Sequence, residues 1–367
     1  MASPDLERRA LAGETRAQIE LAARLDAAGR HDDAINWLSR AAGAGDAEAL
    51  RIVGLRILTG ENAPSLPVQG AELLVDAARA GDAQAASLAA VLFGGGFFAP
   101  QSWDQALDYL QSAAELGSQP ARAQLFILAG AGRAVPASLP DPADWGQLRR
   151  SVDLAAWIAA PPGRTLSESP RVLCVEGLAP SEACDWIVDQ ARGKLVRAEV
   201  HDPRTGLTIM GQTRTNRNAN FPLVDTNLLN LFIQAKISAA TGMPFRMMES
   251  FAVLHYAPGE EASDHFDFLD PSIPAYAAEI AELGQRVATC LLYLNDGYEG
   301  GETEFPRLGI RHRGGKGDAL IFFSADAVGT PDPRSLHAGR PPTAGEKWVL
   351  SQFIRNRPVA PGTDRAG

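Results

Sequence analysis

The chain has 367 residues, 46% of them hydrophobic and 21% charged, with 34 basic against 44 acidic side chains and a formal charge of −10. This is the balance of soluble globular domains with length for two cores, and without the basic excess of a phosphate-binding surface nucleic acid is not expected as a partner. Three cysteines without a C-x-x-C argue against a disulfide framework or zinc site and fit a reducing cytoplasm, while the lack of an apolar leader or of ~18 consecutive apolar residues argues against secretion and membrane spanning.

Residues 5–134 carry an internal repeat. The pattern Ala-Ala-x-x-Gly begins at Ala41, Ala77 and Ala113, each 36 residues after the last, and the same phase relates Trp37, Leu73 and Tyr109, and Ala49, Ala85 and Ala121. A unit of this length holds two short helices. Gly45, Gly81 and Gly117 suit the left-handed residue that ends the first helix, and Asp46 and Asp82 are placed to cap the second. The pattern resembles the Sel-type relatives of tetratricopeptide repeats, and predicts three stacked helix pairs behind a capping helix near residues 4–28. Trp37 and Tyr109 are read as core.

From 135 to 169 the chain is rich in proline (Pro136, Pro140, Pro142, Pro161, Pro162), with a helical piece from Asp144 to Trp157, and reads as a linker with a bridging helix. Beyond it, residues 171–176 read as a strand, Ser181 to Arg192 as a helix capped by Ser181, 196–200 and 207–210 as strands around a turn, and 225–241 as a second amphipathic helix. Residues 249–256, 287–294, 317–323 and 347–354 alternate or run apolar as sheet-core strands do. Residues 358–367 read as a disordered tail. The whole predicts an α+β multidomain chain, an N-terminal α-solenoid followed by a double-stranded β-helix, or jelly roll, with supporting helices.

Two stretches carry chemistry: Tyr256 to Asp267, containing His265-Phe-Asp267, and Ser335 to Trp348, containing His337 and Lys347. On an extended strand, residues two apart leave the same face, so His265 and Asp267 point together and a distant His337 completes two imidazoles and a carboxylate. That set holds Fe(II) on one face and leaves the other open. Lys347, ten positions on, suits the far carboxylate of a bidentate co-substrate; the alternative is a structural ion pair. If Lys347 faces inward, so do Val349, Ser351 and Phe353. His255 then points away from the pocket, His312 sits in an apparent exposed turn, His201 borders a turn that faces the substrate region, and Asp264 caps or supports. The paired glycines at 300 and 301 permit a sharp turn, and the acids around them need bind no metal.

These stretches, with Gln285 to Asp296, Glu299 to Pro306 and Gly317 to Phe323, resemble the prolyl 4-hydroxylase branch of the Fe(II)/2-oxoglutarate dioxygenases over residues 170–357. The resemblance implies that His265, Asp267 and His337 bind iron, that Lys347 and Tyr256 hold 2-oxoglutarate with Thr289 and Ser351 in the same pocket, and that Arg214 and Asn216 lie in a mobile substrate loop. It also implies O₂ as oxidant, ascorbate as reductant, and release of succinate and CO₂. Phe353 stands where many members have Trp, and an extra segment, 270–283, follows the motif. Prolyl 4-hydroxylation of a peptide or protein is the reading preferred from sequence, with hydroxylation of a free amino acid or small metabolite, or a repeat-based interaction or sensing adaptor, as alternatives. The repeats either hold a protein partner or pack only to stabilise the chain.

Overall fold

The structure, a computed structural model, describes residues 4–130, 144–202, 207–210 and 214–359, with the backbone alone at 199–202 and 207–210. Pro136, Pro140 and Pro142, the expected turn at 203–206, the side chain of His201 and the tail from 360 lie outside the described residues. No helix among the described residues is long and apolar enough to cross a membrane. The chain forms two compact units, one running to Gly130 and including 144–152, the other starting at Asp153.

The first unit is a run of helices: α1 (Pro4–Leu11), α2 (Thr15–Ala27), α3 (His31–Gly43), α4 (Ala47–Thr59), α5 (Pro67–Arg79), α6 (Ala83–Gly95), α7 (Trp103–Glu115), α8 (Gln119–Ala129) and the short α9 (Trp145–Arg150). The 36-residue period maps onto α3–α4, α5–α6 and α7–α8. Gly45, Gly81 and Gly117 turn with φ of 83°, 95° and 95°. Asp46, Asp82 and, in the third repeat, Ser118 then accept the N–H three residues on, each cap worth about 1 kcal/mol. The small residues allow close crossing: a Cβ on Gly70 would meet the Leu58 nitrogen at 2.6 Å. The expected single capping helix is instead the pair α1 and α2, because Gly13 breaks the run at φ 90°.

The second unit contains α10 (Leu154–Ile158), β1 (Arg164–Glu168), β2 (Arg171–Val175), α11 (Ser181–Arg192), β3 (Val196–Arg197), β4 (Glu199–Asp202), β5 (Leu207–Met210), β6 (Arg217–Asn220), α12 (Leu228–Thr241), β7 (Ala252–Tyr256) and β8 (Ala262–His265). There follow α13 (Pro274–Leu283), β9 (Arg286–Tyr293), β10 (Glu299–Gly300), β11 (Thr303–Phe305), β12 (Ile310–His312), β13 (Ala319–Phe323), β14 (His337–Gly339), β15 (Pro342–Ala344) and β16 (Lys347–Arg355). The strands make a large antiparallel sheet, β1-β2-β13-β9-β16-β7-β6-β3, and a small one, β12-β11-β14-β8, with the pairs β10-β15 and β4-β5 beside them. Phe305 of the small sheet packs with Val172, Tyr293, Leu320, Phe322 and Val349 of the large one, which closes the two sheets over one core as a jelly roll.

The alternation of β16 decides what each face meets. Val349 enters that core, while on the other face Gln352 accepts a 2.7 Å hydrogen bond from Gln234 of α12 and the Arg192 guanidinium of α11 lies 5.0 Å over the Trp348 ring. The two helices thus cover the outer face.

Some local expectations are corrected. The piece 144–157 is two helices, α9 and α10, each with its own aspartate cap, Asp144 and Asp153. Ser181 is the first residue of α11 and makes no capping bond, since Pro180 stands at the cap position. The helix expected from 225 starts at Leu228, where Asn227 caps it. The stretch read as linker supplies β1, which pairs with β2. The extra segment 270–283 forms α13, and it is anchored: Glu279 pairs with buried Arg355, which also bonds Glu249 at 2.6 Å. Glu249 in turn meets Arg286 at 2.8 Å.

Candidate metal centre

His265 ends β8 and His337 begins β14, and the two strands pair with these residues opposite each other. The next pair is Gly339 with Ala262, two residues along β14 but three along β8. The extra residue is a β-bulge, and it turns both Ala262 and His265 toward the inside. Asp267 lies beyond the strand in a bend, so the two-residue spacing places it with His265 without a ladder to hold it.

The three side chains offer ligand atoms all within 4.8 Å of one another. His265 Nε2 is 3.5 Å from Asp267 Oδ1, and His337 Nε2 is 3.5 Å from Asp267 Oδ2. Each imidazole is oriented from behind, Nδ1 of His265 donating to the Ser263 carbonyl at 2.8 Å and Nδ1 of His337 to that of Ser335 at 3.1 Å. Those bonds fix the tautomer that leaves Nε2 as a lone pair. Burial, opposed by Asp267, pulls the His337 imidazole down to about 4, so it is neutral, the form that ligates. Burial pushes the Asp267 carboxyl up, while the protonated forms of the His337 and His265 imidazoles and the Thr289 hydroxyl pull it well below the usual range; with the rings neutral, the Thr289 hydroxyl is the donor that stays on the charge. Two imidazoles and a carboxylate, each already bonded on its other side, fit a divalent first-row metal such as Fe(II).

Lys347 is 2% exposed, opposite Tyr256 across the β16–β7 pairing. Its ammonium donates to the Gly301 carbonyl at 2.7 Å and lies 5.2 Å from the Tyr256 ring centre and 5.8 Å from that of Tyr293. Gly301, at φ 69°, has room only for hydrogen, because a Cβ would come 2.9 Å from the Tyr298 ring. Among the described residues no carboxylate is paired with Lys347. Burial pulls the ammonium down to about 8, against the upward pull of Glu302. The structural ion pair weighed from the sequence is therefore absent among the described residues, and a buried cation with one carbonyl partner suits a ligand carboxylate.

Burial pushes the Tyr256 hydroxyl up to about 12, so it is a neutral donor, and the Arg214 guanidinium is the cation that works against that rise. Arg214 pairs as a bridge with Ala262, beside β8. Asn216 is 1% exposed, with its Nδ2 on the Arg217 carbonyl and its Oδ1 without a partner. Thr289, expected in a co-substrate pocket, gives its hydroxyl to Asp267 Oδ2 at 2.7 Å. Ser351 is buried on the Lys347 face of β16, and no bond links it to the triad or to Lys347 among the described residues.

Tyr293 went unread in the sequence. It is fully buried, shares a hydrogen bond of 3.0 Å with Thr303, and forms part of the wall around Lys347. Its step of four from Thr289 on one strand put it on the same face, a signal the alternation carried. His312 is corrected: it lies in β12, half-buried, edge-on to Tyr293 and 3.8 Å from the Cys174 sulfur. His255 packs on Trp348 with ring centres 4.4 Å apart, away from the site. Asp264 faces outward and pairs with Arg340 at 3.0 Å.

A family model described as the 2OG-Fe(II) oxygenase superfamily matches residues 251–355. The chain is similar to probable prolyl 4-hydroxylase 7 of Arabidopsis thaliana, 32% identical over 207 residues, covering 52% of this chain and 64% of that protein. It is similar also to probable prolyl 4-hydroxylase 9 of the same plant, 33% identical over 218 residues, covering 54% of this chain and 74% of the relative. Over 32% of its length the chain is similar to a Sel1 repeat protein from Oxalobacter formigenes, at 27% identity, 92% coverage of that protein and a TM-score of 0.31. The chain therefore belongs to the prolyl 4-hydroxylase family of 2OG-Fe(II) oxygenases, whose cofactors are Fe(II), 2-oxoglutarate and O₂.

Proposed function

We propose that this chain hydroxylates a prolyl residue of a peptide or protein at an unactivated C–H bond, with residues 170–357 as the dioxygenase domain and 5–134 as the repeat domain. The observation that carries this reading is two imidazoles, that of His337 buried and that of His265 partly so, and a buried carboxylate with their ligand atoms converged, in the same unit as a buried lysine that has no acidic partner among the described residues. His265, Asp267 and His337 hold Fe(II), which with 2-oxoglutarate and O₂ supplies the oxidation that leaves one oxygen atom on the substrate and the other in succinate, with release of CO₂.

The protein's own part is binding and orientation. Lys347 takes the far carboxylate of 2-oxoglutarate, and the Tyr256 hydroxyl donates to the same co-substrate. Tyr293 and Ser351 line that pocket. Asp267 and His337 are themselves shielded from bulk water. Arg214 brings positive charge to the rim and with Asn216 is assigned to the substrate, where a backbone carbonyl or carboxylate suits the guanidinium. The three cysteines are free and buried, which supports a reducing, cytoplasmic location.

The test is incubation with Fe(II), 2-oxoglutarate and ascorbate, offering proline-containing peptides beside free amino acids, with mass spectrometry and succinate assay. A peptide gaining one oxygen atom at proline, with matching succinate, is expected. Gain on free amino acids alone would move the substrate to small metabolites, and no succinate with either would overturn the reading.

A further inference from the structure

The two imidazoles of the triad sit on paired strands, but Asp267 does not. β8 ends at His265, and residues 267 and 268 form a bend. Something else has to set the carboxylate's place. Thr289 of β9, fully buried, donates to Asp267 Oδ2 at 2.7 Å. Two residues past Asp267, Leu269 is gripped on both backbone groups by the buried Gln285 amide, its N–H donating to Oε1 at 2.8 Å and its carbonyl accepting from Nε2 at 2.7 Å. Gln285 is itself fixed, its N–H donating to the Asn356 side chain at 2.9 Å.

We propose that Thr289 and Gln285 are positioning residues for Asp267: Thr289 occupies Oδ2 and so presents Oδ1 as the single ligand oxygen, while Gln285 sets the height of the bend. This rests on the metal reading proposed above. A carboxylate free to turn can chelate through both oxygens, and that would take one of the positions a bidentate co-substrate and O₂ need. Oδ1, which accepts no hydroxyl, lies on the His265 side of the triad. Thr289 bonds Asp267 and Gln285 bonds Leu269, so each acts through Asp267. Partners of this kind are typically worth 10- to 100-fold in metal affinity.

The test is anaerobic titration of the full chain with Co(II), read by its visible bands, for wild type, Thr289→Val, Thr289→Ser and Gln285→Glu. Thr289→Val keeps the volume and removes the donor; its Co(II) affinity is expected to fall about 10- to 100-fold with altered band intensity, and Thr289→Ser to restore both to within about threefold. Gln285→Glu keeps the acceptor for the Leu269 N–H, loses the donor to its carbonyl, and is expected to fall in the same direction. Thermal unfolding of the metal-free proteins separates the effect from loss of fold. A Thr289→Val protein with wild-type affinity and bands, or, should that variant not fold, a folded Gln285→Glu protein with wild-type affinity, overturns the proposal. A wild-type protein that shows no Co(II) bands overturns the metal reading beneath it.

Discussion

The helical unit and the β unit bury polar groups in opposite ways. In the repeats half-buried charges such as these are matched close by: Asp82 caps Ala85 at 2.8 Å and pairs with Arg51 at 3.0 Å, and Asp26 meets both Arg56 and His31. The β unit does the same at Glu249, held between Arg286 and Arg355. At the triad and at Lys347 the match is incomplete: the imidazoles keep their Nε2 lone pairs, and the Lys347 ammonium has a carbonyl but no carboxylate partner among the described residues. A buried ionised group costs several kcal/mol unless compensated. Where compensation comes from the chain the group is structural, and where it must come from outside the group marks a binding site.

The comparison breaks most sharply at Asp267. Asp267→Ala removes the one anionic ligand, and turnover is expected to fall by at least ~10³-fold, since the metal's contribution amounts to several kcal/mol. Succinate release measured beside mass gain on the substrate checks this, and ordinary succinate release by the variant would return Asp267 to the structural class.

Lys347→Ala comes next. It is expected to raise the KM for 2-oxoglutarate by ~30-fold or more, as removal of a buried charged partner costs about 2–5 kcal/mol. The wild-type affinity carries a pH signature. With the ammonium at about 8 in the protein without co-substrate, 2-oxoglutarate binding, which needs the proton, weakens as pH rises past that value by up to about tenfold per unit. Stability moves the other way. Between about 8 and the ordinary 10.5 the folded state has released a proton that the unfolded chain still holds, so this group's contribution rises with pH across that window. Isothermal titration of 2-oxoglutarate from pH 7 to 9.5 checks the first, with Lys347→Ala expected to be weak and flat; a flat wild-type profile would mean that Lys347 is not the partner.

The smallest effect is expected in the repeats. Asp82→Ala removes a cap and an ion pair and should cost the helical unit about 1–2 kcal/mol, seen in urea unfolding followed by circular dichroism, with succinate turnover unchanged. A loss of turnover without loss of stability would show that the repeats take part in the reaction.

Much of this was legible in the residues. The constant 36-residue spacing with Gly and Asp at fixed phase announces helix pairs, because each helix end needs its own left-handed residue and cap. The spacing of His265 and Asp267 and the separation of His337 from Lys347 announce the site, because ligand chemistry restricts residue type. Errors arose where one local feature competed with another. Ser181 looked like a cap, but Pro180 occupies that position. His312 looked exposed among basic residues, yet its strand packs its ring against Tyr293.

By itself the sequence determined the repeat period, the strand faces and the identity of the candidate ligands, since all of these depend on neighbours within a few residues and on the chemistry of single side chains. Only the tertiary structure decided how they are held. The bulge that turns His265 inward exists only in the pairing of β8 with β14. The Thr289 bond to Asp267 spans 22 residues, and the Gly301 carbonyl that receives Lys347 lies 46 residues before it. Period two says which face a strand residue takes but not which distant strand lies opposite, and that choice is made by the closing of the two sheets over their shared core.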